Sequence, residues 1–176
     1  MRTRKLLVVI AIGTLTFGIA LPASADTGIT PTSITILGGS LSITVPTSNV
    51  DLGSKANAVG GMTISGSLGQ VQVTDARSAA AGSGWITTVI ATAFTPTAGP
   101  AIPASAVSYV AGPIVKVGTA TYTANNPGNL TGVSAAVTAT GITGDNSATW
   151  NPTISVFVAG GMAAGVYYAT ITHSVL

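Results

Sequence analysis

Short runs in which β-branched or aromatic residues alternate with small and polar ones recur along the chain after residue 32, which is typical of strands with two different faces. The runs read SITIL, SLSITV, MTISGSL, QVQVTDA, WITTVIATAF, TATYTA, SAAVTAT, TISVFV and VYYATITHSV. Gly-, Pro- and Asn-rich stretches between them predict turns: LGGS, AAGSG, TPTAGP, NNPGN, TGDNS and AGGMAAG. No stretch beyond the first 25 residues combines a helical period with capping residues. The pattern predicts an all-β fold, a single-domain antiparallel β-sandwich of about nine strands.

A Pro-rich stretch, TAFTPTAGPAIPAS, separates the two halves of this pattern. Proline has no N–H to donate, so it is rare inside a central β-ladder. We therefore expect this stretch to be a connection that crosses from one sheet to the other.

The first 25 residues have a different pattern. Two arginines and a lysine lie among the first five residues, and an apolar stretch runs from Leu6 to about Ala20. The small-x-small sequence Ala-Ser-Ala follows and ends at Ala25. This arrangement predicts a secretory signal peptide, residues 1–25, that is cleaved after Ala25. The apolar stretch is shorter than the roughly 20 residues of a membrane helix, and no second one follows. We expect a secreted domain, residues 26–176, without a membrane span.

Removal of the signal peptide would reverse the sign of the net charge. The whole chain carries a net charge of +2, whereas residues 26–176 hold three basic and four acidic residues, for a net charge of −1. No basic cluster remains to neutralise phosphates, so nucleic acids and anionic membranes are not expected partners. The chain has no cysteine, so it can form neither a disulfide nor a lipid-modified N-terminal Cys.

Residue types that carry catalysis are scarce. The chain contains one histidine, His173, four aspartates, no glutamate and no cysteine. Transition-metal sites usually need several His or Cys ligands, and the sequence has neither a phosphate-binding Gly-Lys loop nor a GxSxG nucleophile motif. We expect no cofactor, no metal and no catalysis. A secreted hydrolase that uses His173 is the remaining enzymatic alternative, and loss of activity in a folded His173→Ala variant would support it.

Four residues are candidates for contact with a ligand or partner. His173 lies on the apolar face of the last predicted strand, which favours a packing role over a chemical one. Asp75 and Arg77 continue the apolar face of the strand QVQVTDA, and they form either a structural ion pair or a charged contact. Trp85 begins an apolar strand, so it either packs in the core or offers an exposed surface for stacking.

Three stretches carry a family resemblance: SLSITVPTSNVDLGS, ISGSLGQVQVTDARSAAAGSGWITTVIATAFT and NPTISVFVAGGMAAGVYYATITHSVL. They make the chain, from about Ser40 to Leu176, similar to the WxL domain of Gram-positive bacterial surface proteins. The most specific parts are VTDAR, GSGW and the closing AGVYYATIT. The first Trp-x-Leu motif of the family would correspond to Trp85-Ile86-Thr87, which keeps the Trp. The second would correspond to His173-Ser174-Val175, where His and Val replace Trp and Leu.

The resemblance implies a function. WxL proteins are exported and attach non-covalently to the cell wall, through peptidoglycan, often together with other surface proteins. We therefore expect a secreted, non-catalytic cell-surface module that binds peptidoglycan or another wall polymer. Trp85, Asp75, Arg77 and His173 are the residues at which we expect wall or partner contacts. The alternative is a secreted structural subunit that self-assembles or pairs with a surface protein by strand addition, because few charges protect its sheet edges.

Overall fold

The computed structural model describes residues 27–176, so the predicted signal peptide and its cleavage site at Ala25 lie outside the described residues. The prediction of an all-β antiparallel fold is confirmed, with ten strands where about nine were expected. A three-residue 3-10 helix, Ala104–Ala106, is the single helical element among residues 27–176. In chain order the strands are β1 Leu41–Thr44, β2 Met62–Ser67, β3 Val71–Ala91, β4 Thr95–Pro96, β5 Val107–Val110, β6 Ile114–Ala124, β7 Ser134–Trp150, β8 Thr153–Val158, β9 Tyr167–Tyr168 and β10 Ile171–Val175.

Two antiparallel sheets form the domain. The first has the order β1-β3-β7-β6, and β10 also pairs with β3. β1 and β10 share one edge of β3, because β1 pairs with residues 72–75 and β10 with residues 87–91. The second sheet has the order β2-β8-β5, and a short two-stranded ribbon joins β4 to β9. The Pro-rich stretch connects β3 of the first sheet to β5 of the second, which confirms the expected crossing.

The core lies between the inner faces of the two sheets. Buried side chains alternate with more exposed ones along β3, β7 and β8, as the period of two requires. One hydrophobic cluster combines residues of both sheets, including the fully buried Val73, Val89, Val137, Tyr109 and Ile154. Burial of such side chains is the main stabilising contribution, at about 25 cal/mol per Å² of apolar surface.

Two predicted turns are strand instead. The stretch AAGSG lies inside β3, which joins the predicted strands QVQVTDA and WITTVIATAF. The stretch TGDNS lies inside β7, which extends the predicted strand SAAVTAT as far as Trp150. The pairing of β3 with β7 shifts register between Asp75 and Ala79 and at two points between Ala79 and Trp85. Gly82 and Gly144 have positive φ angles, which glycine adopts readily. The extra residues therefore bulge out of the ladder without ending it.

Two further strand predictions were wrong in detail, and one strand was not predicted. SITIL, residues 33–37, forms no strand and is exposed. VSYV, which the pattern left unassigned, is β5 and pairs with β8. VYYATITHSV is interrupted, because β9 pairs with β4 whereas β10 pairs with β3. Within residues 27–176, no helix has the length and apolar character that crossing a membrane requires.

Candidate functional site

Three of the four predicted contact residues come together beside the irregular part of β3. Asp75, Arg77 and Trp85 meet Tyr122 of β6 and Asn146 of β7, and we call these five residues the aspartate cluster. Asp75 pairs with Asn146 across the β3–β7 ladder, just before the first register shift. The shift is what allows Trp85, ten residues further along β3, to reach the same asparagine.

The charged pair in this cluster is bidentate. Arg77 donates from Nε to Asp75 Oδ1 and from Nη2 to Oδ2, both at 2.8 Å, and its backbone N–H donates to Oδ1 at 3.1 Å. The Asp75 carboxylate is fully buried, whereas the Arg77 side chain is 37% exposed. The hydrogen bonds from Arg77 lower the pKa of Asp75 below its ordinary value of 3.8, against the opposing effect of burial. The same pairing raises the pKa of Arg77.

Asn146 connects the charged pair to the aromatic residues. Its Nδ2 donates to Asp75 at 3.3 Å, and its Oδ1 accepts hydrogen bonds from Trp85 Nε1 at 3.2 Å and Tyr122 Oη at 3.1 Å. The Trp85 and Tyr122 rings pack with their centroids 5.6 Å apart. Burial, followed by the negative charge of Asp75, raises the pKa of Tyr122. The described part of the chain contains no buried side-chain polar atom without a hydrogen-bond partner.

The cluster is therefore internal, and Trp85 and Asp75 present no surface for the wall contacts expected there. Trp85 is 3% exposed and Asp75 is fully buried, so neither can touch a polymer. The packing interpretation of Trp85 and the ion-pair interpretation of Asp75 are confirmed. Arg77 reaches the surface, but its Nη2 is already shared between Asp75 and the backbone oxygen of Gly84. The arrangement holds the irregular part of β3 in place.

His173 lies apart from this cluster and contacts the second sheet. It is half-buried on the inner face of β10, and its Nε2 is 3.3 Å from Oη of Tyr109 on β5. The Tyr109 hydroxyl accepts a hydrogen bond from Trp150 Nε1 at 2.7 Å, which leaves its hydrogen available for His173. Burial lowers the pKa of His173 to about 4 and raises the pKa of Tyr109 to about 12. The imidazole is therefore neutral at pH 7, and the packing interpretation from strand alternation is confirmed.

His173 also lines an open groove of about 390 Å³, which we call the His173 groove. Its lining includes the segment that follows β1, residues 45–50, and residues of and just before β10. Hydroxyl and amide groups come from Thr47, Ser48, Asn49 and Thr170, and apolar surface comes from Val45, Leu52, Leu68, Phe94 and Ile171. None of the lining residues is charged. The groove lining combines neutral polar groups with apolar surface, with room for a small part of a ligand.

The comparisons with known proteins give no assignment for this groove: no family model, curated protein or solved structure matches the chain. Among residues 27–176, no three His, Cys, Asp or Glu side chains converge as a metal site would require.

Sequence reasoning missed Asn146, Tyr122 and Tyr109. Asn146 lies in TGDNS, which reads as a turn, and Tyr109 lies in the unassigned β5. Asn49 lies outside the strands, where the alternating pattern gives no direction.

Proposed function

We propose that this protein is a secreted, non-catalytic module that associates non-covalently with the cell wall and holds an uncharged glycan segment of peptidoglycan in the His173 groove. The resemblance to the WxL domain motivates the proposed location at the cell wall. The composition of the groove supports this binding site in place of the Trp85 surface expected from the sequence.

The observation that carries the proposal is the chemistry of the groove lining. Peptidoglycan glycan strands present hydroxyl and acetamido groups together with apolar ring faces, and they lack the dense charge of nucleic acids. Thr47, Asn49 and Thr170 can exchange hydrogen bonds with such groups, and Phe94 offers an aromatic surface for a sugar ring. The absence of charge from the lining suits a neutral ligand and disfavours an ionic one.

The state of His173 supports a binding role over catalysis. A general base is most effective when its pKa lies near the working pH. His173 has a pKa of about 4, and its Nε2 already contacts the Tyr109 hydroxyl. No carboxylate lines the groove to orient the imidazole or raise its basicity. His173 therefore serves the site as a neutral polar and aromatic surface.

Co-sedimentation of residues 26–176 with purified peptidoglycan sacculi tests the proposal. We expect saturable binding by the wild type, and loss of one groove hydrogen bond in Asn49→Ala should weaken it by about 1 kcal/mol, or roughly fivefold. Asn129→Ala is the matched control, since Asn129 is an exposed asparagine that does not line the groove. Absence of saturable wild-type binding, or equal binding by the wild type and Asn49→Ala, would contradict the proposal.

A second candidate function is strand addition, and β6 is the observation that favours it. Among residues 27–176, β6 pairs with β7 alone, so its other edge has unpaired backbone groups. Its outer face exposes Val115 and Val117, at 69% and 67%, and Lys116 is its only charge. A long edge with so little protection is suited to accept another strand. Val117→Lys should block such pairing, whereas Val133→Lys, with Val133 equally exposed but outside β6, should not.

A further inference from the structure

The segment SITIL, residues 33–37, has the sequence of a strand but lies in none of the strands of residues 27–176. All residues from Thr27 to Ser40 are exposed, and none of them is in a strand. Ile34 and Ile36 are 87% and 79% exposed, which is unusual for two isoleucines so close together. Because they are two residues apart, an extended backbone would place both on one face. We call residues 33–37 the donor segment.

β6 offers a matching edge on the same chain. We call its first four residues, Ile114–Val117, the acceptor edge, because the ladder with β7 shifts register immediately afterwards. Val115 and Val117 are also two residues apart and exposed on one face. Two isoleucines beside two valines form the β-branched cross-strand contacts that stabilise sheets, at roughly 0.2–1 kcal/mol per pair. The donor segment carries no charge that would oppose the pairing.

The order of the strands indicates that the donor segment of one molecule meets the acceptor edge of another. Shortly after the donor segment, the backbone N–H of Gly39 donates to the oxygen of Ala76 on β3, so the chain enters the first sheet on the β1 side. β6 forms the opposite edge, with β3 and β7 in between. A donor on one edge and an acceptor on the other give a head-to-tail contact, which builds open chains unless its rotation closes a ring.

From this geometry we infer that the donor segment of one copy adds as a strand to the acceptor edge of a second copy, and that the protein assembles into open-ended chains by this contact. The inference rests on the second candidate function, and it names the partner as another copy and the added strand as residues 33–37. Each addition satisfies backbone groups on β6 and covers four exposed β-branched side chains. Wall binding through the His173 groove is independent of it.

The first test disables the donor segment and the acceptor edge in separate variants of the protein that begins at residue 26. Ile34→Lys/Ile36→Lys removes the donor, and Val117→Lys removes the acceptor. Ile29→Lys and Val133→Lys are controls at exposed apolar positions outside the two elements. Light scattering should show concentration-dependent assembly of the wild type and both controls, while each disabled variant stays monomeric. Equimolar donor and acceptor variants share one intact contact, so their mixture should form dimers and stop there.

A cysteine pair tests the register, because the natural chain has no cysteine. With the isoleucines beside the valines, Thr35 faces Lys116 whether the strands run parallel or antiparallel. Mixed Thr35→Cys and Lys116→Cys chains should therefore form a disulfide-linked heterodimer on mild oxidation, whereas Thr35→Cys and Val133→Cys chains should not. The two cross-link yields should differ by about tenfold, as expected for a contact of about 1.4 kcal/mol.

The outcomes distinguish this inference from the function on which it rests. A wild type that stays monomeric at about 100 μM, a concentration at which even weak specific contacts are populated, overturns the self-assembly. If Val117→Lys abolishes assembly but Ile34→Lys/Ile36→Lys leaves it intact, the donor assignment is overturned, while strand addition on β6 is kept. Assembly that neither variant changes overturns both. Sacculus binding that persists in both variants leaves the groove proposal in place.

Discussion

Arg77 and Asp75 lie two residues apart on the same strand and form a bidentate ion pair, with both N···O distances at 2.8 Å. The two residues are close in sequence, so their pairing is local. The Asp75 carboxylate is nevertheless fully buried, at the point where β3 pairs with β7. Asn146 adds a hydrogen bond to Asp75 from the neighbouring strand. The pair therefore makes the stability of the β3–β7 ladder dependent on one guanidinium near the surface.

Breaking this pair from the arginine side should destabilise the fold strongly. Arg77→Leu leaves a buried carboxylate with only Asn146 and a backbone N–H, and we expect a loss of about 2–3 kcal/mol in the free energy of unfolding. Asp75→Asn/Arg77→Leu removes the charge as well and should lose less than the sum of the two single changes. Urea unfolding of all four proteins closes the cycle, and additive losses would show that the two side chains are not coupled.

His173 should make the protein sensitive to mild acid. Its pKa is about 4 in the folded state and ordinarily 6.5, so below pH 6.5 the unfolded chain binds a proton that the folded protein does not. The free energy of unfolding should therefore fall as the pH drops from 6.5 to 4, by up to about 3 kcal/mol, and no further from this group below pH 4. His173→Asn should be flatter than the wild type across that window in urea unfolding at half-unit steps.

The lowered pKa of Asp75 acts in a separate and more acidic range. Its contribution to stability is present above its ordinary pKa of 3.8 and is lost as the pH falls through the lower folded value. Asp75→Asn should therefore leave the slope between pH 6.5 and 4 unchanged. A slope that disappeared in Asp75→Asn and persisted in His173→Asn would reverse the assignment of the two groups.

Trp85 should matter for folding and not for wall binding. Trp85→Phe keeps an aromatic ring against Tyr122 and loses the hydrogen bond to Asn146, which we expect to cost about 1 kcal/mol. Trp85→Ala leaves a cavity and should cost about 3–5 kcal/mol. Binding to sacculi should be unchanged in Trp85→Phe at a temperature where circular dichroism shows a native spectrum. Loss of binding by this folded variant would return the site to the aspartate cluster.

The irregularity of β6 should depend on one glycine. Gly118 has φ +85°, and a Cβ there would lie 2.5 Å from the backbone oxygen of Asp145 on β7. Gly118→Ala combines backbone strain with a clash and should lower the free energy of unfolding by at least about 2 kcal/mol. Gly128→Ala, at a position with open space, should change stability by less than about 0.5 kcal/mol. Equal thermal midpoints for the two variants would contradict this account.

The sequence by itself determined the fold class and the faces of several strands. Alternation with a period of two predicts strands from local order alone, and it correctly put His173 and Asp75 on inward faces. It could not separate a turn from a bulge, because AAGSG and TGDNS have the composition of both, and only pairing with a neighbouring strand keeps them extended. It also read SITIL as a strand, although a strand exists only where a partner lies beside it.

Only the tertiary structure decided which residues meet. Trp85 reaches Asn146 across 61 residues of sequence, and His173 reaches Tyr109 across 64. Such contacts depend on strand order and register shifts, which hydrophobic periodicity does not encode. Trp85 and His173 therefore have different surroundings: Trp85 is buried beside the Asp75–Arg77 pair, and His173 borders an open groove. The strand order likewise placed β6 at the edge opposite β1, where the chain enters the sheet. The three backbone ladders that join β1, β3, β7 and β6 fix that arrangement.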